Sequence, residues 1–347
     1  MAIKKTAPSV AVCTVIVVIA LMSGSADYAY AGAQERYLVP VGTTVGIELK
    51  TDGVLVVGLT TPEGSAASPA GKAGILPGDL IIRLGDQKIA SAADLLSAVR
   101  EIDGGEITVT FRRGNVVRQY AVKPALSPEG DYKLGLWLRD GVSGIGTVTF
   151  YDPSTGLYGA LGHAITDADT GVVIPMGRGE ILDSVVIDVR KGVAGTPGEL
   201  CGAFDVGKKR GNIVSNTDRG IFGFLNSGDA MRQLSSALPV AREAKPGAAT
   251  ILSNVKGREI GEYAVEISKV YKNDENGRSL MLTVTDPGLL EITGGIVQGM
   301  SGSPIIQDGK LVGAVTHVLV NDPTRGYGIS VGSMLEAAQN GLRQDAA

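Results

Sequence analysis

Cysteine, histidine and tryptophan are scarce in this chain: two, two and one in 347 residues. Cys13 falls in an N-terminal apolar stretch, which leaves Cys201 alone, so no internal disulfide can hold the fold. Folding must rest on burial of a core. Aromatic residues are only 5% of the chain, against 44% apolar residues and 49 glycines. That balance excludes a disordered or fibrous chain and suits a globular one rich in short strands and turns. An excess of positive charge is also missing. The net charge of −4 gives nucleic acid no reason to be a partner. No repeat of fixed period occurs.

Long apolar runs are absent apart from residues 10–22, which follow Lys4 and Lys5 and precede the small-residue site Ala29-Tyr30-Ala31. The run is short for a bilayer span and has the layout of a secretory signal. Residues 1–31 are therefore expected to be a signal peptide or, if uncleaved, an N-terminal membrane anchor.

The length suits about two domains. A polar Pro/Gly stretch, Ser-Pro-Glu-Gly at 127–130, reads as the linker between one domain at 39–125 and another at 131–340. Upstream, short β-branched runs surround one helix opening at Ser91, with Asp94 placed for a capping box. Leu95, Val99 and Ile102 share one face of it. Downstream, strand and turn signals dominate. A hairpin is expected over 147–161, further strands near 184–189, 263–271, 279–285 and 311–319, and a short helix at the end. So many short strands suggest a barrel or double barrel.

The upstream motifs Ser68-Pro69-Ala70, Ala73-Gly74, Gly78-Asp79-Leu80-Ile81 and Gly85, with the helix bearing Asp94-Leu95, resemble a PDZ domain, an α+β module. Such modules bind peptides by strand addition along an edge strand. The resemblance puts that edge at Val45, Gly46, Ile47, Glu48 and Leu49, with Leu95 and Val99 on the facing helix.

Downstream, Gly-Met-Ser-Gly-Ser-Pro at 299–304 raises the question of a nucleophile. A serine hydroxyl needs a base within hydrogen-bond reach, the base needs an orienting partner, and the developing oxyanion needs donors. Backbone N–H groups of Gly299 and Ser301 can be those donors, and the glycines permit the turn. The base must be one of two histidines. His163 sits in Ala-Leu-Gly-His-Ala-Ile, whereas His317 sits in an apolar strand, where a core or pocket-lining role is commoner. Ser303 is the less favoured nucleophile, and Cys201 lacks a comparable context. Thr-Asp-Ala-Asp-Thr at 166–170 lacks the remaining ligands of a calcium loop, so no metal is expected.

These motifs, with Thr-Asp-Pro-Gly-Leu-Leu at 285–290 and the upstream PDZ module, resemble the SpoIVB (stage IV sporulation protein B) family of serine peptidases along the whole exported chain. The resemblance implies a mainly β protein: a PDZ domain followed by a chymotrypsin-like double β-barrel. It implies a triad of His163 as base, Asp286 as acid and Ser301 as nucleophile, with no cofactor. Asp286 lies only fifteen residues before Ser301, and Asp183, Asp188 and Asp205 are other carboxylates between His163 and Ser301. The family is exported across the forespore membrane into the intermembrane space. There its members cleave a regulatory subunit of an intramembrane protease, which releases processing of a late sigma factor. They also cleave themselves, with the PDZ domain steering recognition of self and target close to the membrane. Two rival readings are a general envelope quality-control protease, whose usual domain order is the reverse, and a non-catalytic PDZ scaffold.

Overall fold

A computed structural model of the chain describes residues 35–272 and 277–344. The expected signal or anchor at 1–31 lies outside the described residues. The chain is mainly β. Its strands are β1 (Tyr37–Pro40), β2 (Thr44–Leu59), β3 (Leu80–Leu84), β4 (Gln87–Lys88), β5 (Ile107–Arg113), β6 (Val116–Val122), β7 (Ala125–Leu126), β8 (Tyr132–Lys133), β9 (Leu136–Tyr151) and β10 (Leu157–Ala160). They continue as β11 (Met176–Arg190), β12 (Glu199–Thr217), β13 (Gly220–Leu225), β14 (Leu238–Pro239), β15 (Gly247–Lys256), β16 (Glu259–Val270), β17 (Leu280–Val284), β18 (Pro304–Gln307), β19 (Lys310–Leu319) and β20 (Asp322–Ser330). Four α-helices join them: α1 (Pro69–Lys72), α2 (Ala92–Arg100), α3 (Pro287–Thr293) and α4 (Val331–Gln344).

Two barrels form the peptidase-like part. In the first, β9, β10, β13, β12, β11 and β2 pair in that order, and β2 pairs back with β9 to close the ring. The second is the closed barrel β15-β16-β17-β20-β19-β18. Each has its own aliphatic core: Val45, Leu49, Tyr158 and Ile181 in the first, and Ile251, Ile267, Leu282 and Ile305 in the second. Helix α4 buries Met334, Leu335 and Ala338 against Phe150, Phe222 and Ala314, which come from both barrels.

The PDZ module comes before most of the peptidase part, as expected, and is inserted near the start of the first barrel. Strand β2 starts in the first barrel and ends in the PDZ sheet, and β9 makes the return journey. Residues 44–50 of β2 pair with 141–147 of β9, and residues 55–59 pair with 136–139. Between these two stretches β2 loops out while β9 runs on. The PDZ sheet continues from β2 to β3, β5 and β6. Its core holds Val54, Ile81, Phe111 and Val122 under α2. The α2 capping box is formed: Ser91 accepts from the Asp94 N–H at 3.1 Å and Asp94 accepts from the Ser91 N–H at 2.9 Å.

Three expectations are corrected here. The boundary between domains is not at 127–130. That stretch is the turn between β7 and β8, closed by Gly130 N–H donating to Ser127 at 2.9 Å and Ser127 N–H donating to Asp131 at 2.9 Å. Val45, Gly46, Ile47, Glu48 and Leu49 are not an open edge. They pair with β9 on one side and with β11 on the other, so no peptide can add there. Leu95 and Val99 do not line a groove either; both are buried in the PDZ core.

The PDZ sheet has an open edge at β6 and another at the start of β9. Residues 136–139 pair only with β2, and among the described residues no strand pairs with their other side. Helix α2 lies beside it, its Ala92 N–H donating to Asp140 Oδ2 at 2.8 Å. The exposed apolar side chains on these two elements are Trp137, 67% exposed, and Leu96, 58% exposed.

Candidate active site

Ser301 sits in the turn that enters β18 of the second barrel. Strand β9 of the first barrel grips that turn. Thr147 N–H donates to the Ser301 carbonyl at 3.0 Å, and Thr147 Oγ1 donates to the Gly299 carbonyl at 2.8 Å. The following glycine is obligatory: a Cβ on Gly302 would stand 1.9 Å from the Thr147 carbonyl oxygen. Gly302 also has φ +99°, a region that glycine adopts without steric cost. Gly299, at φ +95°, turns the chain ahead of Ser301. The N–H groups of Gly299 and Ser301 donate to no group among the described residues. Two such donors flanking a serine can receive a developing oxyanion.

His163 comes from the loop after β10. Leu161 just before it has φ 68°, a left-handed conformation that costs a non-glycine residue about 1–2 kcal/mol. Asn216, at the end of β12, fixes this loop. Its Oδ1 accepts from Ile165 N–H at 2.8 Å, and its Nδ2 donates to the Ile165 carbonyl at 2.9 Å and the Ile174 carbonyl at 3.3 Å. Sequence reasoning passed over Asn216. A strand-terminal asparagine far from any motif gives no signal until the loop is seen folded on it.

His163 and Ser301 line one cleft of about 970 Å³, together with Gly299, Thr316, His317 and residues 141–145 of β9. His163 Nδ1 lies 2.8 Å from the Ala164 carbonyl oxygen. A carbonyl can only accept, so Nδ1 carries the proton and the lone pair of the neutral ring is on Nε2. Burial lowers the proton affinity of His163 below the ordinary histidine value, and the Ala164 carbonyl opposes this only in part. The ring is therefore neutral at pH 7 and able to accept a proton. Ser301 Oγ donates to the Thr316 carbonyl at 2.7 Å.

His317 is a second imidazole in the cleft, its ring centroid 5.0 Å from that of His163 and tilted by 41°. Burial first, then the neighbouring His163 and Arg278, hold its pKa down to about 4. Arg278 also lines the cleft, stacks over Tyr327 at 5.0 Å and makes no ion pair among the described residues.

The carboxylates named from the sequence lie elsewhere. Asp286 caps α3: its Oδ1 accepts from Leu289 N–H at 2.9 Å and its Oδ2 from Ala264 N–H at 3.3 Å. It does not line the cleft, and the group on His163 Nδ1 is a backbone carbonyl. Asp183 is nearly buried among Arg258, Lys208 and Arg210, at 2.9, 3.2 and 3.5 Å. Asp188 and Asp205 accept from the N–H groups of Val189 and Gly207. In the 166–170 loop, Asp167 and Asp169 are both held by Arg139 of β9. Ser303 is buried and points away from solvent, and Cys201 is half-buried on β12.

The family model for the SpoIVB peptidase S55 matches residues 130–335, and that for a PDZ domain matches 62–113. Among curated proteins, the chain is 32% identical over 113 residues to a serine protease named HhoB from Synechocystis sp., covering 30% of this chain and 26% of that one. It is 33% identical over 79 residues to a DegP-like periplasmic serine endoprotease of Chlamydia trachomatis, covering 23% and 15%. The chain thus spans about a quarter or less of the length of these relatives. Among solved structures, the active form of the Rv3671c protease from M. tuberculosis is similar at 15% identity and a TM-score of 0.34, over 57% of this chain and 74% of that one. The PDZ domain of an SdrC-like protein from Listeria monocytogenes is similar at 21% identity and a TM-score of 0.22, over 26% and 90%.

Proposed function

The chain belongs to the SpoIVB peptidase S55 family, and on that premise we propose that it is a serine endopeptidase in which Ser301 is the nucleophile and His163 the base. The observation that carries this reading is the cleft shared by Ser301 and His163, beside two unpaired N–H groups. Ser301 Oγ leaves the Thr316 carbonyl and attacks the scissile carbonyl carbon as His163 Nε2 takes its proton. The oxyanion meets the N–H groups of Gly299 and Ser301. Collapse of the intermediate breaks the C–N bond, and His163 gives its proton to the departing amine. Water, deprotonated by the same imidazole, then releases the acyl group. The Ala164 carbonyl holds the ring in the tautomer this sequence requires.

The PDZ module is proposed to take protein segments along the open edge of β9. Family membership supports the finer assignment: an exported enzyme in the intermembrane space of the sporulating cell, cleaving a regulatory subunit of an intramembrane protease so that a late sigma factor is processed, and cleaving itself. The test is a fluorophosphonate probe with N-terminal sequencing of the chain over time. Wild type should be labelled and shortened; Ser301→Ala and His163→Ala should each be silent, and the double variant no worse, because the pair acts as a unit. Labelling that moves to Ser303, or persists in His163→Ala but not in His317→Ala, would overturn the assignment.

A further inference from the structure

The open edge of β9 does not stop where the PDZ sheet ends. Residues 136–147 pair with β2 on one side, but β10 joins the other side only from Val148 onward. Residues 136–145, ten in all, therefore form one uninterrupted free edge, which ends where Leu161 covers the buried Gly146. Their backbone groups on that side make no other backbone hydrogen bond among the described residues. At one end the edge lies beside α2 in the PDZ module. At the other it is a wall of the cleft, through residues 141–145, and the next residue, Thr147, holds the Ser301 turn. No turn interrupts the strand between the two, and at about 3.3 Å per residue the edge is roughly 33 Å long. Where the edge runs along the cleft, nothing stands within 4 Å of where a Cβ on Gly144 would be, so a neighbouring strand meets no obstruction there. Arg139 reaches from it to Asp167 and Asp169 through its side chain and uses no backbone group to do so.

A row of unpaired N–H and C=O groups binds one kind of partner well, an extended polypeptide backbone. We propose that a single substrate segment pairs along the whole β9 edge, from the cleft to the PDZ groove, so that the PDZ module and the active site read two parts of one strand. This rests on the peptidase reading above. The PDZ end has a place for a chain terminus. Gly135, just before β9, has φ +73° and, like Leu134, an N–H that donates to no group among the described residues. Both residues are buried, and two successive free N–H groups can hold an anion such as a terminal carboxylate. The occupant is then the C-terminal tail of the substrate, and the scissile bond lies about ten residues before its end.

The experiment uses the full chain and a library of long randomised peptides with free carboxyl termini, the same library with amidated termini, and mass spectrometry of the products. Cuts should cluster about ten residues from the free terminus, and amidation should disperse them. Peptides N-methylated at alternate positions downstream of the cut should be cleaved at least tenfold more slowly, since N-methylation removes the backbone donors alone. Trp137, the single tryptophan, lies on the edge and reports its occupancy by fluorescence in Ser301→Ala. Cuts scattered without regard to the terminus, insensitive to N-methylation, in an enzyme that the fluorophosphonate still labels, would overturn the shared strand and leave the peptidase reading standing. No labelling and no cuts would remove both.

Discussion

Ser301 Oγ donates a hydrogen bond to the Thr316 carbonyl, 2.7 Å away, while His163 Nδ1 donates one to the Ala164 carbonyl at 2.8 Å. Nucleophile and base share a cleft, yet each is satisfied by a backbone oxygen. The barrier to reaction therefore includes moving Ser301 Oγ off Thr316. Among the described residues no carboxylate contributes to the proton affinity of His163. These two bonds make Asp286, Asn216 and the β9 edge the informative places to test.

Asp286→Ala should act mainly on stability. The carboxylate receives the Leu289 N–H at the start of α3 and the Ala264 N–H of β16, and losing such a cap costs about 0.5–2 kcal/mol. Thermal melting should show that loss. Turnover of the folded variant should stay within about tenfold of wild type, against the ~10⁴-fold expected for loss of an orienting acid. A folded variant as slow as Ser301→Ala would mean that Asp286 reaches His163 in a rearranged enzyme.

Asn216→Ala should do the opposite. Asn216 touches no reacting atom; it positions His163 by holding Ile165 at both its N–H and its carbonyl. A misplacement of about 1 Å can cost on the order of 10²-fold, so kcat should fall by roughly ten- to a hundredfold with KM little changed. Asn216→Asp keeps the acceptor for Ile165 N–H but loses both donors, and should not restore the rate. Equal changes in kcat and melting temperature across both variants would reduce the residue to a structural one.

In the PDZ module, Val99→Glu and Leu96→Glu should part company although both lie on α2. Val99 is packed in the core, where an unpaired carboxylate costs several kcal/mol, so the module should unfold. Leu96 is 58% exposed, so Leu96→Glu should melt like wild type. Circular dichroism on the two proteins checks this. A stable Val99→Glu would put that side chain back in the groove.

Acidification should begin to weaken the fold through the buried imidazole of His317. His317 has a folded pKa of about 4 against an ordinary value of 6.5. Between these values the unfolded chain binds a proton that the folded chain does not. Stability is therefore complete above pH 6.5 and is lost as pH falls toward 4. His163, lowered in the same direction, adds to the loss. Asp167, Glu180 and Asp183, whose proton affinities are lowered, add their own loss once pH falls toward the ordinary values of 3.8 for Asp and 4.5 for Glu. His317→Gln should flatten the melting-temperature profile between pH 6.5 and 4, and an unchanged slope would place the titration elsewhere.

Local signals carried far in this chain. The α2 capping box, the β9–β10 hairpin and the glycines around Ser301 depend on neighbours in sequence, and each was legible there. The motifs around His163 and Ser301 announced a pair whose convergence 138 positions apart the fold then supplied.

What tertiary structure alone decided is which edges are open and what each carboxylate touches. Residues 45–49 read as an edge strand because their alternation is that of any half-buried strand; only the partners β9 and β11, more than 90 positions downstream, close both sides. The sequence of Asp286 is equally that of a triad acid and of a helix cap followed by proline, and spacing does not distinguish them. Strand pairing and side-chain reach are non-local, so the sequence determined the modules and the reactive pair. Packing decided that one module is threaded through the other, and that a single strand runs from the PDZ groove to the active site.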